Sequence, residues 1–225
     1  MASIYTPTNL FAQGVDHFGY GPYDPSIAPA VQLLEKGVSA FAPVTGVVAQ
    51  TVPDLLMDTT VTPTGSGDLD LYAVMLSAGD VISNFSVISV GAASTPTHYW
   101  LTLANSSYYP VAFTADQLTT AWAATTLITV PVASVGVGAS GATTSTAATS
   151  YTVPTSGLYY VGIMQAGTTP ATLQGHTANG TGRASYGPYL GFTSTTGLTA
   201  VPAFGTAFVV TSKTTPKAVA GIYLS

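Results

Sequence analysis

The sequence predicts an all-β fold: a β-sandwich or jelly-roll-like domain with an extended N-terminal arm and one or two short helices. Two observations support this fold class. From about Asp58 onward, apolar residues alternate with a period of two, and turn residues separate these runs roughly every 8–12 residues. Threonine alone also outnumbers the thirteen charged residues, and its β-branched side chain fits a pleated, half-solvated sheet.

The chain divides into two predicted parts. Residues 1–57 form an arm with a short helix that serves for attachment, and residues 58–225 form the β-sandwich domain. Start and stop signals predict helix only around 29–36 and 53–57. Strands are predicted at 59–62, 69–76, 81–90, 97–104, 111–115, 125–132, 150–153, 158–165, 171–174, 186–192, 206–211 and 218–224.

The alternation also predicts which side chains form the core. In strand 97–104 the core face consists of Tyr99, Leu101 and Leu103, and the opposite face consists of His98, Trp100 and Thr102. The run 158–165 is apolar on both faces, as is typical of a central strand covered on each side. The residues expected to be mostly buried are Val81, Phe85, Leu101, Leu103, Ile128, Leu158, Tyr160 and Ile163.

Two connecting segments carry specific predictions. Residues 77–80 read Ser-Ala-Gly-Asp, a compact turn that we expect to close a hairpin between two strands. Residues 133–150 are of low complexity, and we expect an exposed loop or a flexible edge there, because strand patterning resumes directly afterwards.

The charge composition excludes nucleic acid as a partner and favours a protein whose surface is largely covered by neighbouring subunits. Only 6% of residues are charged, against about 25% in an ordinary soluble domain, so little charge opposes association. The net charge of −5 and the scattered basic residues exclude nucleic acid, which requires clustered lysine and arginine. All nine acidic residues lie between Asp16 and Asp116. This uneven distribution of acidic residues has two interpretations. It is either a chance result in a sequence with few charges, or it reflects two oppositely charged faces of a stacked or ring-like assembly.

The sequence also lacks several features that would indicate secretion or a membrane location. There is no cysteine, which excludes a disulfide framework and thiol catalysis. No apolar run reaches the ~18 residues of a membrane span, and the first five residues resemble no export signal. We therefore expect synthesis in a host cytoplasm and no membrane partner.

No motif predicts catalysis or a cofactor, so we expect the protein not to be an enzyme. The pair Asp16 and His17 lies in the arm, where rigid support is lacking, and the sequence has no G-x-S-x-G elbow to expose a nucleophile. Residues 136–141 match G-x-G-x-x-G, but no acidic residue follows to bind a ribose. The three histidines have no metal-ligand spacing. Calcium at Asp68 and Asp70 is the weaker alternative to two solvated carboxylates on one strand face.

Two stretches resemble known β-sandwich proteins. Residues 151–162, YTVPTSGLYYVG, predict a strand, a turn and an aromatic strand that returns through the core. This hairpin is similar to one in jelly-roll modules of the complement-globular-head and tumour-necrosis-factor type, which assemble as trimers. Residues 69–175 as a whole resemble a β-sandwich module of virion structural proteins from tailed actinobacterial phages, a group of minor tail and head accessory proteins. This resemblance implies no catalytic residue and leaves out residues 1–57.

The arm is the predicted partner-binding site. Residues 10–23 alternate aromatic residues with glycine and proline and have no helical or strand period. Rings in such a segment need a partner surface to cover them. The predicted partner-binding residues are Phe11, Phe18, Tyr20 and Tyr23.

The predicted function is that of a non-enzymatic virion protein. We expect a capsid decoration or head accessory protein whose arm docks on the major capsid protein or another shell protein. The chain lacks the coiled-coil heptads and collagen-like repeats of long fibres, which favours the head. We expect a homo-oligomer, with a trimer favoured. The alternatives are a minor tail protein and a lectin-like module that reads host-surface glycans with exposed aromatic residues such as Trp100 or Trp122.

Overall fold

A computed structural model describes residues 46–62, 65–137, 144–177, 191–194, 196–210 and 218–225. The four aromatic residues of the predicted arm site and the predicted helix at 29–36 lie outside these residues. Within the described residues the regular structure is β-strand, apart from one turn of 3-10 helix at Asp54–Leu56. This confirms the all-β class and the short helical turn predicted at 53–57.

Fifteen strands are described. They are β1 (Ala49–Gln50), β2 (Thr59–Val61), β3 (Asp68–Leu76), β4 (Val81–Ile82), β5 (Asn84–Gly91), β6 (Ser94–Asn105), β7 (Pro110–Thr114), β8 (Thr126–Val137), β9 (Thr144–Ala147), β10 (Tyr151–Thr152), β11 (Gly157–Thr169), β12 (Thr172–Thr177), β13 (Gly191–Thr193), β14 (Ala218–Ala220) and β15 (Ile222–Leu224). The predicted strands at 81–90 and 218–224 are each divided in two, and only 191 and 192 of the strand predicted at 186–192 are described.

The strands form a nearly closed antiparallel sheet in two layers. The hydrogen-bonded order is β1-β15-β5-β8-β7-β6-β11-β3-β13, with β12, β14, β2 and β9 attached to it. We call the layer around β5 sheet A and the layer around β11 sheet B. Strand β8 belongs to both layers, because residues 126–131 pair with β5 and residues 132–135 pair with β7.

The main core lies between the two sheets. In sheet B, Leu101 of β6 pairs with Ile163 of β11, and both side chains are buried. Sheet A contributes Phe85 and Val87 of β5 from the other side. Of the eight predicted core residues, Phe85, Leu101, Leu103, Tyr160 and Ile163 are buried, while Ile128 and Leu158 are partly buried.

Val81 does not belong to the core, which corrects one of these predictions. Its side chain is 46% exposed, whereas that of its neighbour Ile82 is fully buried. Strand β4 pairs only with β10 among the described residues, in a separate two-stranded ribbon. Because side chains alternate along a strand, burial of Ile82 directs Val81 outward.

A second core covers the outer face of sheet B. It contains Leu71, Trp100, Phe113 and Met164, and residues 196–210 cover it with Phe204 and Phe208. The face of β6 predicted to lie opposite the core is therefore buried as well, since Trp100 and Thr102 have no exposed surface.

The strand predicted at 206–211 is also wrong over the described residues 206–210, which have no strand structure. The phenylalanine ring of Phe204 lies 5.0 Å from that of Phe113, and the ring of Phe208 lies 6.4 Å from it. The segment therefore crosses the sheet as an irregular cover, in which Phe208 and Val210 contact the second core while Val209 is 65% exposed.

Both predicted hairpins are wrong, although the turn of the first one forms. In the turn 77–80, the amide of Asp80 donates to the carbonyl of Ser77 at 3.0 Å, and the amide of Ser77 donates to Oδ2 of Asp80 at 2.8 Å. The flanking strands do not pair with each other: β3 pairs with β11 and β13, and β4 pairs with β10. Likewise β10 does not pair with β11, and the residues between them, 153–156, form a bend without a hydrogen-bonded turn. Each connection leads the chain from one sheet to another.

The low-complexity segment contains strand at both of its ends. Residues 133–137 continue β8, and β9 returns along them, with Ser134 opposite Ala147. Residues 145–147 are exposed. The edge position that the sequence suggested is confirmed for these residues, and residues 138–143 lie outside the described part.

Candidate attachment site at the arm junction

The described chain begins where the predicted arm meets the sandwich. Residues 46–57, which the sequence assigned to the arm, pack with the sheets: Ala49 and Val52 are buried in the main core. We call residues 46–58 the junction. Phe11, Phe18, Tyr20 and Tyr23 lie outside the described residues, so of the predicted attachment region only this junction is described.

The junction is joined to the C-terminal strand of the sandwich. Strand β1 pairs with β15, with Gln50 opposite Tyr223. The hydroxyl of Thr51 donates to the carbonyl of Ala220 at 2.5 Å and accepts from the amide of Ile222 at 2.9 Å. These contacts bridge about 170 positions of sequence and attach the first described strand to the last one.

The 3-10 turn makes a second connection to the same strand. The hydroxyl of Tyr223 donates to Oδ1 of Asp54 at 2.6 Å. Burial raises the pKa of Tyr223, and the hydrogen bond to Asp54 and the negative charge of that carboxylate raise it further. The phenol therefore stays protonated and keeps donating to the carboxylate at any physiological pH.

Strand β12 holds the end of the junction. The side-chain amide of Gln174 donates to the carbonyl of Met57 at 2.8 Å. Two residues further along β12, Nδ1 of His176 lies 3.0 Å from Oδ1 of Asp58, in a pair open to solvent. An exposed pair of this kind contributes little to stability, so Gln174 is the more important contact.

One polar side chain of the junction is buried without a partner. Gln50 is 3% exposed, and neither its Nε2 nor its Oε1 forms a hydrogen bond; Oδ2 of Asp54 is also buried without a partner. Leaving such a group unpaired costs about 1–3 kcal/mol. The junction thus contains a buried amide and a buried carboxylate oxygen that have no described hydrogen-bond partner.

His98 and Asp116 form the most catalytic-looking pair in the described residues. Nδ1 of His98 lies 2.6 Å from Oδ2 of Asp116. The other oxygen of Asp116 accepts from the amides of Tyr99 and Leu118, at 3.1 and 2.9 Å. The carboxylate therefore serves to hold the loop after β7 against β6.

The tryptophan rings are not on the surface. Trp100 is fully buried and Trp122 is 2% exposed. The ring of Trp122 lies 4.9 Å from that of Tyr99, and the ring of Trp100 lies 5.7 Å from that of Phe113. Neither tryptophan can stack on a glycan, so the two rings named for a lectin-like surface are packing residues.

The candidate calcium ligands do not share a solvated strand face. Asp70 is 2% exposed and lies on the same side of β3 as the buried Tyr72. Burial, and then the charge of Asp70, raises the pKa of Tyr72. Among the residues that the structure describes, no group of three or more candidate ligands is placed to hold a metal ion.

Sequence reasoning missed the junction contacts. Thr51, Asp54 and Gln174 are single polar residues without a motif, and each of their partners lies more than 100 positions away. The only local signal was the helical turn at 53–57, which places Asp54 but does not indicate Tyr223.

Comparisons of the chain with protein-family models, with curated proteins and with solved structures find no match. In the described part of the chain, no helix is long and apolar enough to cross a membrane.

Proposed function

We propose that this chain is a non-enzymatic structural protein of a phage virion, a head decoration protein whose sandwich is held on the shell by its N-terminal arm. The observation that supports it most is the junction. Thr51, Asp54 and Met57 are hydrogen-bonded to strands of the sandwich, so a load on the arm passes directly into the folded domain.

The second support is the character of the surface. Charged residues are scarce, and the two tryptophans that a glycan-binding role would have used are buried. A protein with few charges keeps little electrostatic protection against association. Such a surface is suited to close contact with many neighbouring subunits. In this proposal the protein is a homo-oligomer, with a trimer favoured, and it binds the major capsid protein or another shell protein.

The arm supplies the docking contacts in this proposal. Phe11, Phe18, Tyr20 and Tyr23 provide four rings within thirteen residues, and buried aromatic side chains are the usual energetic anchors of interfaces. Glycine and proline between them let the backbone follow a surface while limiting the entropy of the unbound segment.

The location is tested on particles of the phage that encodes the chain. Antibodies against the sandwich are used for immunogold electron microscopy, and mass spectrometry measures the molar ratio of the chain to the major capsid protein. The proposal expects label on the head and a copy number that follows the symmetry of the shell. Absence from purified particles, or label confined to the tail, would contradict the head assignment.

The docking mode is tested by adding protein back to particles that lack it. A chain without residues 1–25 is expected to keep its melting temperature and to lose binding. A full-length control with Phe11, Phe18, Tyr20 and Tyr23 changed to serine separates the rings from the length of the arm, and it should also fail to bind. Binding by the truncated chain together with a collapse of its stability would show that the arm belongs to the core of the domain.

A further inference from the structure

Met57 lies near the end of the junction, beside the hydrogen bond between Tyr223 and Asp54. Its sulfur atom is 3.6 Å from the hydroxyl of Tyr223, and the same hydroxyl donates to Oδ1 of Asp54 at 2.6 Å. A phenol has one proton to donate, and a thioether sulfur is a weak acceptor. The carboxylate therefore receives the hydrogen bond, and the sulfur is only a close neighbour.

Gly221 encloses the sulfur from another side. A Cβ atom at position 221 would lie 2.5 Å from the sulfur of Met57, so the thioether fills the space in front of this glycine. An atom added to the sulfur cannot point toward Gly221 without moving the two residues apart.

The backbone of Met57 is also held in place. Its carbonyl accepts from the side-chain amide of Gln174 at 2.8 Å, and its amide donates to the carbonyl of Asp54 at 3.1 Å. These two bonds fix the start of the side chain. The sulfur therefore stays beside Tyr223 as long as the junction is closed.

The methionines of the described residues differ in exposure. Met75 is 52% exposed and Met164 is fully buried, while Met57 is partly buried and packs against the main core. A small oxidant such as hydrogen peroxide can approach a partly exposed thioether and convert it to the sulfoxide. Met57 is thus open to a chemical change from which the second core protects Met164.

We propose that Met57 is an oxidation site, and that its conversion to the sulfoxide by hydrogen peroxide releases the junction from strand β15. A lone pair of the sulfur attacks one peroxide oxygen, so that an S–O bond forms and the O–O bond breaks. The sulfur loses two electrons and the peroxide gains them. The proton on the transferred oxygen passes to the departing hydroxide, which leaves as water.

The new oxygen competes with Asp54 for the proton of Tyr223. Oxidation turns an apolar side chain into a polar one, and its oxygen is a far better acceptor than the thioether sulfur. Oδ2 of Asp54 already has no described partner, so loss of the Tyr223 hydroxyl leaves the carboxylate without its side-chain donor. Leaving a buried polar group unpaired is costly, and the junction therefore separates from β15.

This inference does not depend on a virion role. It concerns how firmly the junction is held in the isolated chain, whichever surface the arm contacts. Oxidation of Met57 can fail to open the junction while the arm still docks on a shell, and the reverse is equally possible.

Treatment of the full chain with hydrogen peroxide tests the site. Peptide mass spectrometry measures the oxygen added to each methionine. Amide hydrogen exchange is measured on the peptide that contains Val48 and Thr51, whose amides donate to the carbonyls of Leu224 and Ile222. A peptide from the central strand β11 is the control.

Met57 is expected to gain oxygen while Met164 remains reduced. Exchange of the junction peptide should then rise by about tenfold or more, the factor for loss of a hydrogen bond to a charged group, and exchange in β11 should not change. Methionine sulfoxide reductase should reverse both the added mass and the faster exchange. Reversal distinguishes this site from general oxidative damage.

Three variants assign the effect to one sulfur and one hydroxyl. The response to peroxide should disappear in Met57→Leu and persist in the matched control Met75→Leu, which removes the exposed thioether of β3. In Tyr223→Phe the junction already exchanges faster. Peroxide should raise its exchange by less than about twofold, because no hydroxyl is left for the sulfoxide to take from the carboxylate.

Any of three results would overturn the proposal. The first is protection of Met57 from peroxide equal to that of Met164. The second is complete oxidation of Met57 with unchanged exchange of the junction peptide. The third is a full response in Met57→Leu, or, if that variant does not fold, a full response in Tyr223→Phe.

Discussion

The hydroxyl of Tyr223, in the last described strand, donates a 2.6 Å hydrogen bond to Oδ1 of Asp54 in the junction. The two residues are separated by 168 others, and both are on the outer side of sheet A, where Asp54 has no second described partner for Oδ2. This bond joins the root of the arm to the strand that runs beside β5.

Replacing Tyr223 by phenylalanine is therefore expected to destabilise the protein by about 1.5–3 kcal/mol, the range for hydrogen bonds to charged groups. Urea unfolding followed by circular dichroism measures the loss. Tyr159→Phe is the matched control, because the partners of its hydroxyl are neutral: it donates at 2.9 Å to the carbonyl of Thr155 and is hydrogen-bonded to the hydroxyl of Tyr151. A loss of about 0.5–1.5 kcal/mol for each of these two bonds is expected. A larger loss per bond at Tyr159 than at Tyr223 would show that Asp54 does not strengthen the bond.

Alkaline pH is expected to unfold the protein through its tyrosines. Burial raises the pKa of Tyr99 to about 12 and also raises the pKa of Tyr72, Tyr151 and Tyr223. The unfolded chain releases these protons near pH 10, while the folded chain retains them. Stability is then complete below pH 10 and falls as the pH rises above it.

Absorbance of phenolate near 295 nm tests this expectation. Part of the tyrosine signal should appear only together with the loss of near-ultraviolet circular dichroism, at a pH above 10. A single titration of all thirteen tyrosines near pH 10, with the fold intact, would contradict it.

Gly162 is required at the centre of β11. A Cβ atom there would lie 2.6 Å from Cγ2 of Thr102 and 2.8 Å from Cδ2 of Leu71, on the side of the second core. Gly162→Ala is expected to destabilise the protein by about 1–3 kcal/mol, as for overpacking in a core. Thr102→Ser removes the nearest methyl group, so the double variant should recover part of the loss in thermal unfolding. If the double variant recovers no stability, the added methyl group at position 162 clashes with a residue other than Thr102.

The main core gives a matched pair of truncations. Leu101→Ala removes a fully buried side chain and should reduce the free energy of unfolding by about 2–5 kcal/mol. Val81→Ala changes a side chain that is 46% exposed and should change it by less than about 0.5 kcal/mol. Similar losses at the two positions would show that the ribbon of β4 and β10 packs more tightly than its exposure indicates.

Local patterns were enough to predict the fold class, most strands and most of the core. Alternation along 69–76, 97–104 and 158–165 requires strands there, because a period of two can bury a continuous apolar face only in a sheet. The burial of both faces of β11 could also be predicted from the sequence, since its residues are apolar on each side. The turn at 77–80 was correct for the same reason: its glycine and aspartate act on neighbouring backbone.

The pairing of the strands could not be predicted in this way. A turn specifies its own four residues, but whether the next strand returns beside the previous one depends on which sheet offers it a partner. After residues 77–80, strand β4 pairs with β10 and not with β3, and after residues 153–156, strand β11 pairs with β3 and β6 and not with β10. The segment 206–210 was misread because apolar residues alone do not distinguish a strand from an irregular cover.

The sequence of this protein, read locally, was sufficient for the strands, the turns and the scarcity of charge, because these depend on residues within a few positions of one another. Only the tertiary structure decided that Trp100 and Trp122 are buried, that Asp54 meets Tyr223, and that residues 196–210 cover the outer face of sheet B. These relationships join positions far apart in the chain, and the contacts that fix them exist only once both sheets have formed.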